Sequence, residues 1–252
     1  MEQVRKPFQG VLNIILFNWP FYVSAFFLFL ITFYTANYFE KDYANFIQII
    51  SILALASIIV SLVVSLYVYD ISNLYRLNWI DKSNDERLIV NINAGFDETS
   101  YLLQDKFKNS DLIVLDFYNP ILHTEASIKR ARKAYPSFPK TKHIKTSDTE
   151  LTDNSADKIF VILSAHEIRN ENERAEFFKE LYRVIKPKGQ IYVTEHLRDL
   201  PNFFAYNIGF FHFHAKSSWL KTFKDANLKI KQEIKLTPFI STFILYKNGN
   251  TI

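Results

Sequence analysis

Residues 87–116 read RLIVNINAGFDETSYLLQDKFKNSDLIVLD, and the fold class follows from this stretch. Residues 87–94 have the pattern of a buried strand that stops at Gly95, and residues 98–108 are polar with helical character. Residues 112–116 (LIVLD) form a second apolar run that closes on Asp116, 21 residues after Gly95. A strand, a glycine turn, a helix and a second strand ending in an acid form the arrangement used to hold nucleotides in α/β sheets. Glycine lets backbone approach a ligand closely, and a carboxylate at that strand end accepts from both hydroxyls of a ribose. Parallel strands also end in aspartate for solubility alone, so the pattern leaves both readings open.

Downstream the alternation continues. A basic amphipathic helix is expected at 126–135 (ASIKRARKAY), a short strand at 142–145, a buried strand at 158–165 (KIFVILSA) and a helix at 171–185. Phe177, Phe178, Leu181 and Val184 in that helix recur at helical spacing. Pro187-Lys188-Gly189 then turns into a strand at 190–194 (QIYVT). A helix at 218–226 and two strands at 228–236 and 241–246, joined at Thr237-Pro238, complete the chain. Apolar strands separated by helices imply a mostly parallel sheet covered on both faces, here finished by an antiparallel hairpin.

Upstream of residue 81 the chemistry changes. No charged residue occurs from Pro7 to Phe39, nor from Tyr43 to Tyr69. A bilayer core about 30 Å thick needs roughly 20 apolar residues in a helix, so both runs are long enough to span it. Pro20 breaks the first run, because proline suits the first turn of a helix and disfavours helix before it. The expected pattern is a short interfacial helix at 8–18, spans at 20–39 and 46–69, and a tight connection at Glu40-Lys41-Asp42. Arg5 and Lys6 precede the first span, Arg76, Lys82 and Arg87 follow the second, and the tip has only Lys41 between two acids. This asymmetry predicts a multi-pass membrane protein with both termini and the following domain cytoplasmic. A signal peptide has a shorter apolar region with a small-residue cleavage site. The expected domains are a membrane anchor at 1–80, whose segment 70–80 places Tyr75 and Trp79 at the headgroup layer, and an α/β domain at 81–252.

The 252 residues include no cysteine, which excludes disulfides, thiolate metal sites and a cysteine nucleophile. With 48% hydrophobic and 16% aromatic residues the chain is not a disordered one. The net charge of +4 falls wholly after residue 80, where 26 basic residues face 22 acidic ones. So many acids beside helix 126–135 argue for a solvated face or a headgroup contact and against nucleic acid.

Residues 157–164 (DKIFVILS), 178–189 (FKELYRVIKPKG) and 190–194 together resemble the class I S-adenosylmethionine-dependent methyltransferases. Their fourth strand, following helix and fifth strand carry an R-V-L-K-P-G-G turn. Here Arg183-Val-Ile-Lys-Pro-Lys-Gly189 matches it, with Lys188 in place of the first glycine. The resemblance covers about 86–247, and the A-G-F-D-E-T-S, H-E-I-R and E-H-L-R-D motifs look like a membrane-anchored subgroup. It implies a Rossmann-like, mostly parallel seven-stranded sheet with a reversed last strand, behind a two-helix transmembrane hairpin. S-adenosyl-L-methionine is the cofactor it implies.

The family's first loop reads acid-x-Gly-x-Gly-x-Gly, and the matching positions here are Asn91, Asn93, Gly95 and Asp97. Asn91 lacks the charge that attracts the methionine ammonium, so Asp97 or Glu98 is expected to supply it. The resemblance assigns ribose to Asp116, an adenine cover to Phe117, and the adenine edge to Asp148 and Thr149.

After the fourth strand come His166, Glu167 and Arg169, and after the fifth Glu195, His196 and Arg198. Carboxyl ends of neighbouring strands share one crevice. His166 is the first choice for a base because histidine titrates near neutrality, and His196 is the second. The carboxylates and arginines are expected to orient the base or hold an anionic acceptor, or else to form a structural ion network. Residues 200–216 read as an aromatic loop that lines an acceptor pocket, dips into the bilayer or joins the core. A metal site is not expected, although His123 and Glu125 with His212 and His214 include the residue types that ligate one.

The expected function is a membrane-anchored methyltransferase for a lipophilic acceptor such as a quinone, isoprenoid, aromatic polyketide or lipid. The alternatives are a catalytically silent scaffold and transfer of another part of the cofactor. A nicotinamide oxidoreductase is disfavoured by the Lys-Pro-Lys-Gly turn and the terminal hairpin.

Overall fold

The computed structural model describes residues 5–83, 85–122 and 126–248. Helix α1 (Gln9–Phe17) ends at Asn18, and Pro20 sits in the first turn of α2 (Trp19–Thr35). A 3-10 turn (Ala36–Tyr38) and two extended residues, Phe39 and Glu40, lead into α3 (Lys41–Leu66). The helix therefore starts at Lys41, inside the stretch expected to be the connection. Two segments, Trp19–Tyr38 and Lys41–Arg76, are long and apolar enough to cross a membrane, with mean hydropathy 1.5 and 2.8.

The faces of this pair are inverted relative to a soluble hairpin. No residue of α2 is buried, and in α3 the only buried ones are Ser51 and Ser65. Phe21, Phe27, Ile31, Phe46, Leu53 and Val63 are all exposed. The inner seam carries one polar pair, the hydroxyls of Thr32 and Ser51, 3.0 Å apart. In water this would expose most of the apolar surface that burial is meant to remove.

Beyond a π-helical turn (Tyr67–Ile71) and a 3-10 turn (Leu74–Arg76) the α/β domain begins. Its strands are β1 (Leu88–Asn93), β2 (Asp111–Asp116), β3 (Lys142–His143), β4 (Ala156–Ile162), β5 (Ile185–His196), β6 (Leu228–Thr237) and β7 (Ile240–Lys247). Helices α4 (Ser100–Lys106), α5 (Ala126–Ala134), α6 (Glu171–Val184), α7 (Leu200–Tyr206) and α8 (Lys216–Asp225) complete it. The strand order is β3-β2-β1-β4-β5-β7-β6. Strands β1 to β5 pair in parallel, while β7 runs antiparallel to both β5 and β6.

One face of the sheet is covered by α6 and α8, whose Phe177, Phe178, Trp219 and Phe223 are fully buried with Val161, Val193 and Phe243. Each such side chain contributes about 1.5–3 kcal/mol on burial. The other face holds Phe107, Phe160 and Tyr192 together with Leu77 and Ile80. The segment expected to lie between anchor and domain is thus part of the domain's second core, and Trp79 packs 6.3 Å from Tyr192. Tyr75 also turns inward, donating to Glu98 Oε2 at 2.7 Å.

Helix α6 starts where Asn170 Oδ1 accepts from the backbone of Asn172 and Glu173. Its end passes directly into β5 through the Lys-Pro-Lys-Gly turn. A Cβ on Gly189 would lie 2.9 Å from the Asp157 carbonyl, which accounts for that glycine. Residues 200–216 are not a loop: Asp199 accepts from the Asn202 backbone at 3.2 Å and Pro201 sits in the first turn of α7. A 3-10 helix (Asn207–His212) follows.

Candidate active site

The carboxyl ends of β1, β2, β4 and β5 meet on one edge of the sheet. Register fixes this: Asn93 stands opposite Asp116, and Ile162 opposite Thr194. The Ser164 hydroxyl donates to the Ile92 carbonyl at 2.9 Å and ties the β4 end to the β1 end.

The loop after β1 is closed on itself. Asn91 is buried, and its amide donates to the Thr99 and Ser100 hydroxyls at 3.0 and 2.8 Å and to Asp97 Oδ1 at 3.3 Å. Asp97 Oδ1 also accepts the backbone N–H groups of Thr99 and Ser100, each at 2.9 Å, and so starts α4. The other oxygen, Asp97 Oδ2, is buried without a hydrogen-bond partner among the described residues. Asn93 Oδ1 accepts from the Gly95 backbone at 3.0 Å, and Gly95 has φ +95°, a conformation that suits only glycine.

Asp116 is fully engaged. Oδ1 accepts the Tyr118 backbone at 2.8 Å, and Oδ2 lies 2.6 Å from an Arg132 nitrogen. Arg132, on α5, also covers the Tyr118 ring at 4.5 Å and approaches the Gly95 carbonyl at 3.4 Å. Its guanidinium fills the space beside Gly95: a Cβ there would meet it at 2.9 Å.

Glu98 is equally occupied. Oε1 accepts from Arg5 at 2.7 Å and from Asn13 at 3.3 Å, while Oε2 takes the Tyr75 hydroxyl. Helix α1 is thereby fastened over the loop, and Asp70 holds the helix start through the Gly10 and Val11 backbone at 2.7 and 2.8 Å.

Two residues expected to touch adenine are structural. Phe117 is buried in the core, 5.4 Å from Phe177. Thr149 is fully buried and binds Glu180 Oε1 by hydroxyl and backbone at 2.7 and 2.8 Å. Asp148 caps its own turn, accepting from the Glu150 backbone.

The histidines divide into two unlike environments. His166 Nδ1 is 2.7 Å from Glu195 Oε2, and its Nε2 is 3.3 Å from Glu167 Oε1. Burial works against its charge, but the two carboxylates override this and push the imidazole up to about 10. His166 is thus an imidazolium at neutral pH, donating from both nitrogens, and has no lone pair for a proton. Glu167 is buried too, yet hydrogen bonds from His166 and His212 hold it well below the usual carboxylate range.

His196 is the opposite case. Burial pushes it down to about 4. Asn202 spends its amide donors on Asp199 Oδ1 at 2.9 Å and the Phe239 carbonyl at 3.1 Å, so its oxygen faces His196 Nδ1 at 3.0 Å. Nδ1 therefore carries the proton, and Nε2 presents a lone pair to the Tyr69 hydroxyl at 2.8 Å. Phe213 stacks on the ring at 4.7 Å and fixes its plane.

The two arginines serve as struts. Arg198 donates to the Phe213 and Phe211 carbonyls, each at 2.8 Å, and Arg169 donates to the carbonyl and Nδ1 of His212. Ligand atoms of His166, Glu167 and His212 lie within 4.8 Å of one another, the spacing of a metal trio. A cation on His212 Nε2 would require the ring proton on Nδ1, facing the guanidinium of Arg169, which has no lone pair. The trio suits a hydrogen-bond chain better than a metal. His123 and Glu125 lie outside the described residues.

A cavity of about 880 Å³ joins these parts. Asn93, Glu98, His166, His196 and Tyr69 line its sheet end, and the other end lies between α2 and α3. Along α3 it reaches from Ser65 to Ser51, about 21 Å at 1.5 Å per residue. The hydroxyls of Ser65 and Tyr206 face it buried and without hydrogen-bond partners among the described residues.

Sequence reasoning missed Tyr69, Arg132 and Asn202, whereas Tyr206 belongs to the aromatic stretch expected to line a pocket. Tyr69 was read as the end of an apolar span and Arg132 as part of a solvated face. The i+6 spacing of Asn202 from His196, after the Asp199 cap, was the one signal present.

The cofactor implied by the resemblance can be tested against these residues. Asp97 Oδ2 offers an unspent anion for the methionine ammonium, while Arg132, which occupies the Asp116 carboxylate and the space beside Gly95, would have to be displaced for ribose to bind there. The donor set fits.

Residues 94–193 match a family model described as a methyltransferase domain. No curated protein matches the chain. Among solved structures, mitomycin 7-O-methyltransferase is 11% identical with TM-score 0.54, covering 97% of this chain and 74% of that one. A protein from Pyrococcus horikoshii is 15% identical with TM-score 0.50, covering 69% and 86%. An S-adenosylmethionine-dependent methyltransferase from Aquifex aeolicus is 15% identical with TM-score 0.45, covering 63% and 81%. The domain match and the sheet order together support an S-adenosylmethionine-dependent methyltransferase.

Proposed function

We propose that this protein is a membrane-anchored methyltransferase that uses S-adenosylmethionine to methylate a lipophilic small molecule drawn from the bilayer. The observation that carries this reading is the cavity, which runs from the histidines at the sheet edge to the seam between the two apolar helices. A long apolar channel with a few convergent polar groups at one end suits an acceptor with a polar head and an apolar tail. The inverted faces of α2 and α3 support a bilayer around them, and the lysine and arginine distribution supports cytoplasmic termini and a cytoplasmic domain. Anchoring keeps the site at the high local concentration of an acceptor that lives in lipid.

Asp97, Gly95, Asn93 and Asp116 would hold the cofactor, which supplies the activated methyl group. The chain's own contribution is positioning and a base. The proton of an acceptor hydroxyl passes to the Tyr69 oxygen while the Tyr69 proton moves to His196 Nε2. His196 becomes the imidazolium, and the acceptor oxygen would be free to take the methyl group that bound S-adenosylmethionine supplies, with S-adenosylhomocysteine as the leaving group. His196 takes the role first expected of His166, because His166 is already charged. The His166 imidazolium, held by Glu195 and Glu167, orients the edge of the crevice.

The test is occupancy of the cavity. Protein purified in mild detergent and extracted with organic solvent should release a lipophilic molecule. Ser61→Phe, which fills the seam, should release none. Equal recovery from both forms contradicts the reading.

A further inference from the structure

We infer that residues 200–211, comprising α7 and most of the 3-10 helix after it, lie in the cytoplasmic leaflet as a third membrane contact and form the lipid-side wall of the cavity mouth. This rests on the proposal that α2 and α3 span a bilayer, and it adds a surface that neither the domain match nor the span pattern assigns.

The surface is apolar to an extent unusual for a domain in water. No charged residue occurs between Asp199 and Lys216. Leu200, Phe204, Ile208 and Phe211 are 72%, 69%, 84% and 63% exposed. Four large apolar side chains this exposed within twelve residues mark an interaction surface rather than scattered surface residues. Meanwhile Asn202 and Ala205, on the opposite side of α7, are buried. The helix therefore has its polar contact inside and its apolar face outside, the same inversion seen in α2 and α3.

Position selects the occupant. Helix α7 packs against α3, so its outer face continues the apolar surface of the spanning helix. Ile208 stands at the cavity mouth, and on the inner side Tyr206, Asn207, Gly209 and Phe213 line the cavity, opposite Ser65 near the end of α3 and Tyr69 in the π-helical turn after it. A segment seated on a spanning helix, with lipid-like chemistry outward and cavity inward, meets acyl chains at the headgroup boundary. A protein partner would have to contact the same continuous surface that α3 presents to lipid.

The excursion is also held at its base. Arg198, before α7, donates to the Phe211 and Phe213 carbonyls, and Arg169 donates to the His212 carbonyl. The far end of the aromatic segment is thus tied to the carboxyl ends of β4 and β5, while its near end follows β5 directly through the Asp199 cap. Phe203 packs edge-on to Phe204 and Phe210 at 5.4 and 5.5 Å, which keeps the short element together.

The experiment uses the full chain in nanodiscs of phosphatidylcholine and phosphatidylglycerol. The sequence has no cysteine, so Leu53→Cys, Phe204→Cys, Phe211→Cys and Lys229→Cys each give one nitroxide site. Collision with oxygen, which concentrates in lipid, is compared with collision with a water-soluble nickel chelate. Labels at 204 and 211 should resemble the label at 53 on α3, with oxygen favoured several-fold, while the label at 229 on β6 favours nickel. Nickel access at 204 and 211 with oxygen access at 53 overturns the inference and leaves the anchor standing. Shielding from both reagents at 204 and 211 overturns it in favour of a second copy or another protein. Nickel access at 53 removes the anchor reading itself and the inference with it.

Discussion

The hydroxyl of Tyr69 lies 2.8 Å from Nε2 of His196, although 127 residues separate them in the chain. One comes from the turn after the apolar helix pair and the other from the end of β5, so the N-terminal segment contributes an atom to the candidate site. Tyr69→Phe removes the hydroxyl and keeps the ring. Turnover should fall by about 10²–10⁴-fold, the usual contribution of a positioned base. Calorimetry should find the affinity for S-adenosylmethionine unchanged. A loss of affinity without loss of turnover would place Tyr69 elsewhere in the mechanism.

The two histidines predict the pH behaviour. His196 is pushed down to about 4 in the folded protein against an ordinary 6.5, so the unfolded chain binds the proton first on acidification. Stability should therefore fall as pH drops from about 6.5 toward 4. His166 is raised to about 10, so its contribution is complete below 6.5 and is lost as pH climbs through 10. Thermal melting of the detergent-solubilised protein should show its highest midpoint close to pH 6.5. His214, pushed down to about 3 by burial, acts in the same direction, so His196→Gln should make the acid limb shallower and leave the alkaline limb unchanged.

Arg132 and Asp116 form a mostly buried pair at 2.6 Å, on the carboxylate that would bind ribose. Arg132→Ala leaves that buried carboxylate with only the Tyr118 N–H and His143 at 3.5 Å, which costs up to about 3–5 kcal/mol. The melting midpoint without cofactor should drop accordingly. Saturating S-adenosylmethionine should then raise it by more than in the wild type, since no cation has to be displaced. An equal rise in both proteins would mean that Arg132 does not compete for the site.

Glu98 joins α1 to the loop after β1 through Arg5, Asn13 and Tyr75. Glu98→Gln weakens one charge-assisted bond and should reduce the protection of this contact by about 1.5–3 kcal/mol. Hydrogen exchange should then quicken in residues 9–17 while β1 and β4 keep their protection. Unchanged exchange in α1 would show that the helix is held by other contacts.

The order of strands and helices was readable because β1, β2, β4 and the 190–194 part of β5 are nearly pure apolar runs bounded by glycine, proline or acid. The reversed terminal hairpin was readable from its turn at Thr237-Pro238, although β6 alternates polar and apolar residues. What escaped the sequence is where cations and aromatics point after folding. Arg132 lies on a helix whose composition suits a solvated face, yet its guanidinium turns to a carboxylate 16 residues earlier. His166 and His196 have similar neighbours in the sequence, Glu167 and Glu195. Only the packed structure gives both carboxylates to His166 and leaves His196 with an amide. Phe117 alternates into the core because the residue before it, Asp116, ends the strand on the other side. Residues 200–206 became helix through Asp199 and Pro201, a cap that the aromatic composition obscured.

The most direct test of the account is transfer of label. Nanodisc-embedded protein would be incubated with methyl-tritiated S-adenosylmethionine and a total lipid extract, and the organic phase counted. The account predicts protein-dependent label in the organic phase, lost in Ser61→Phe, where the seam between α2 and α3 is filled. Label found only in the aqueous phase, or equal transfer by the filled variant, would contradict it.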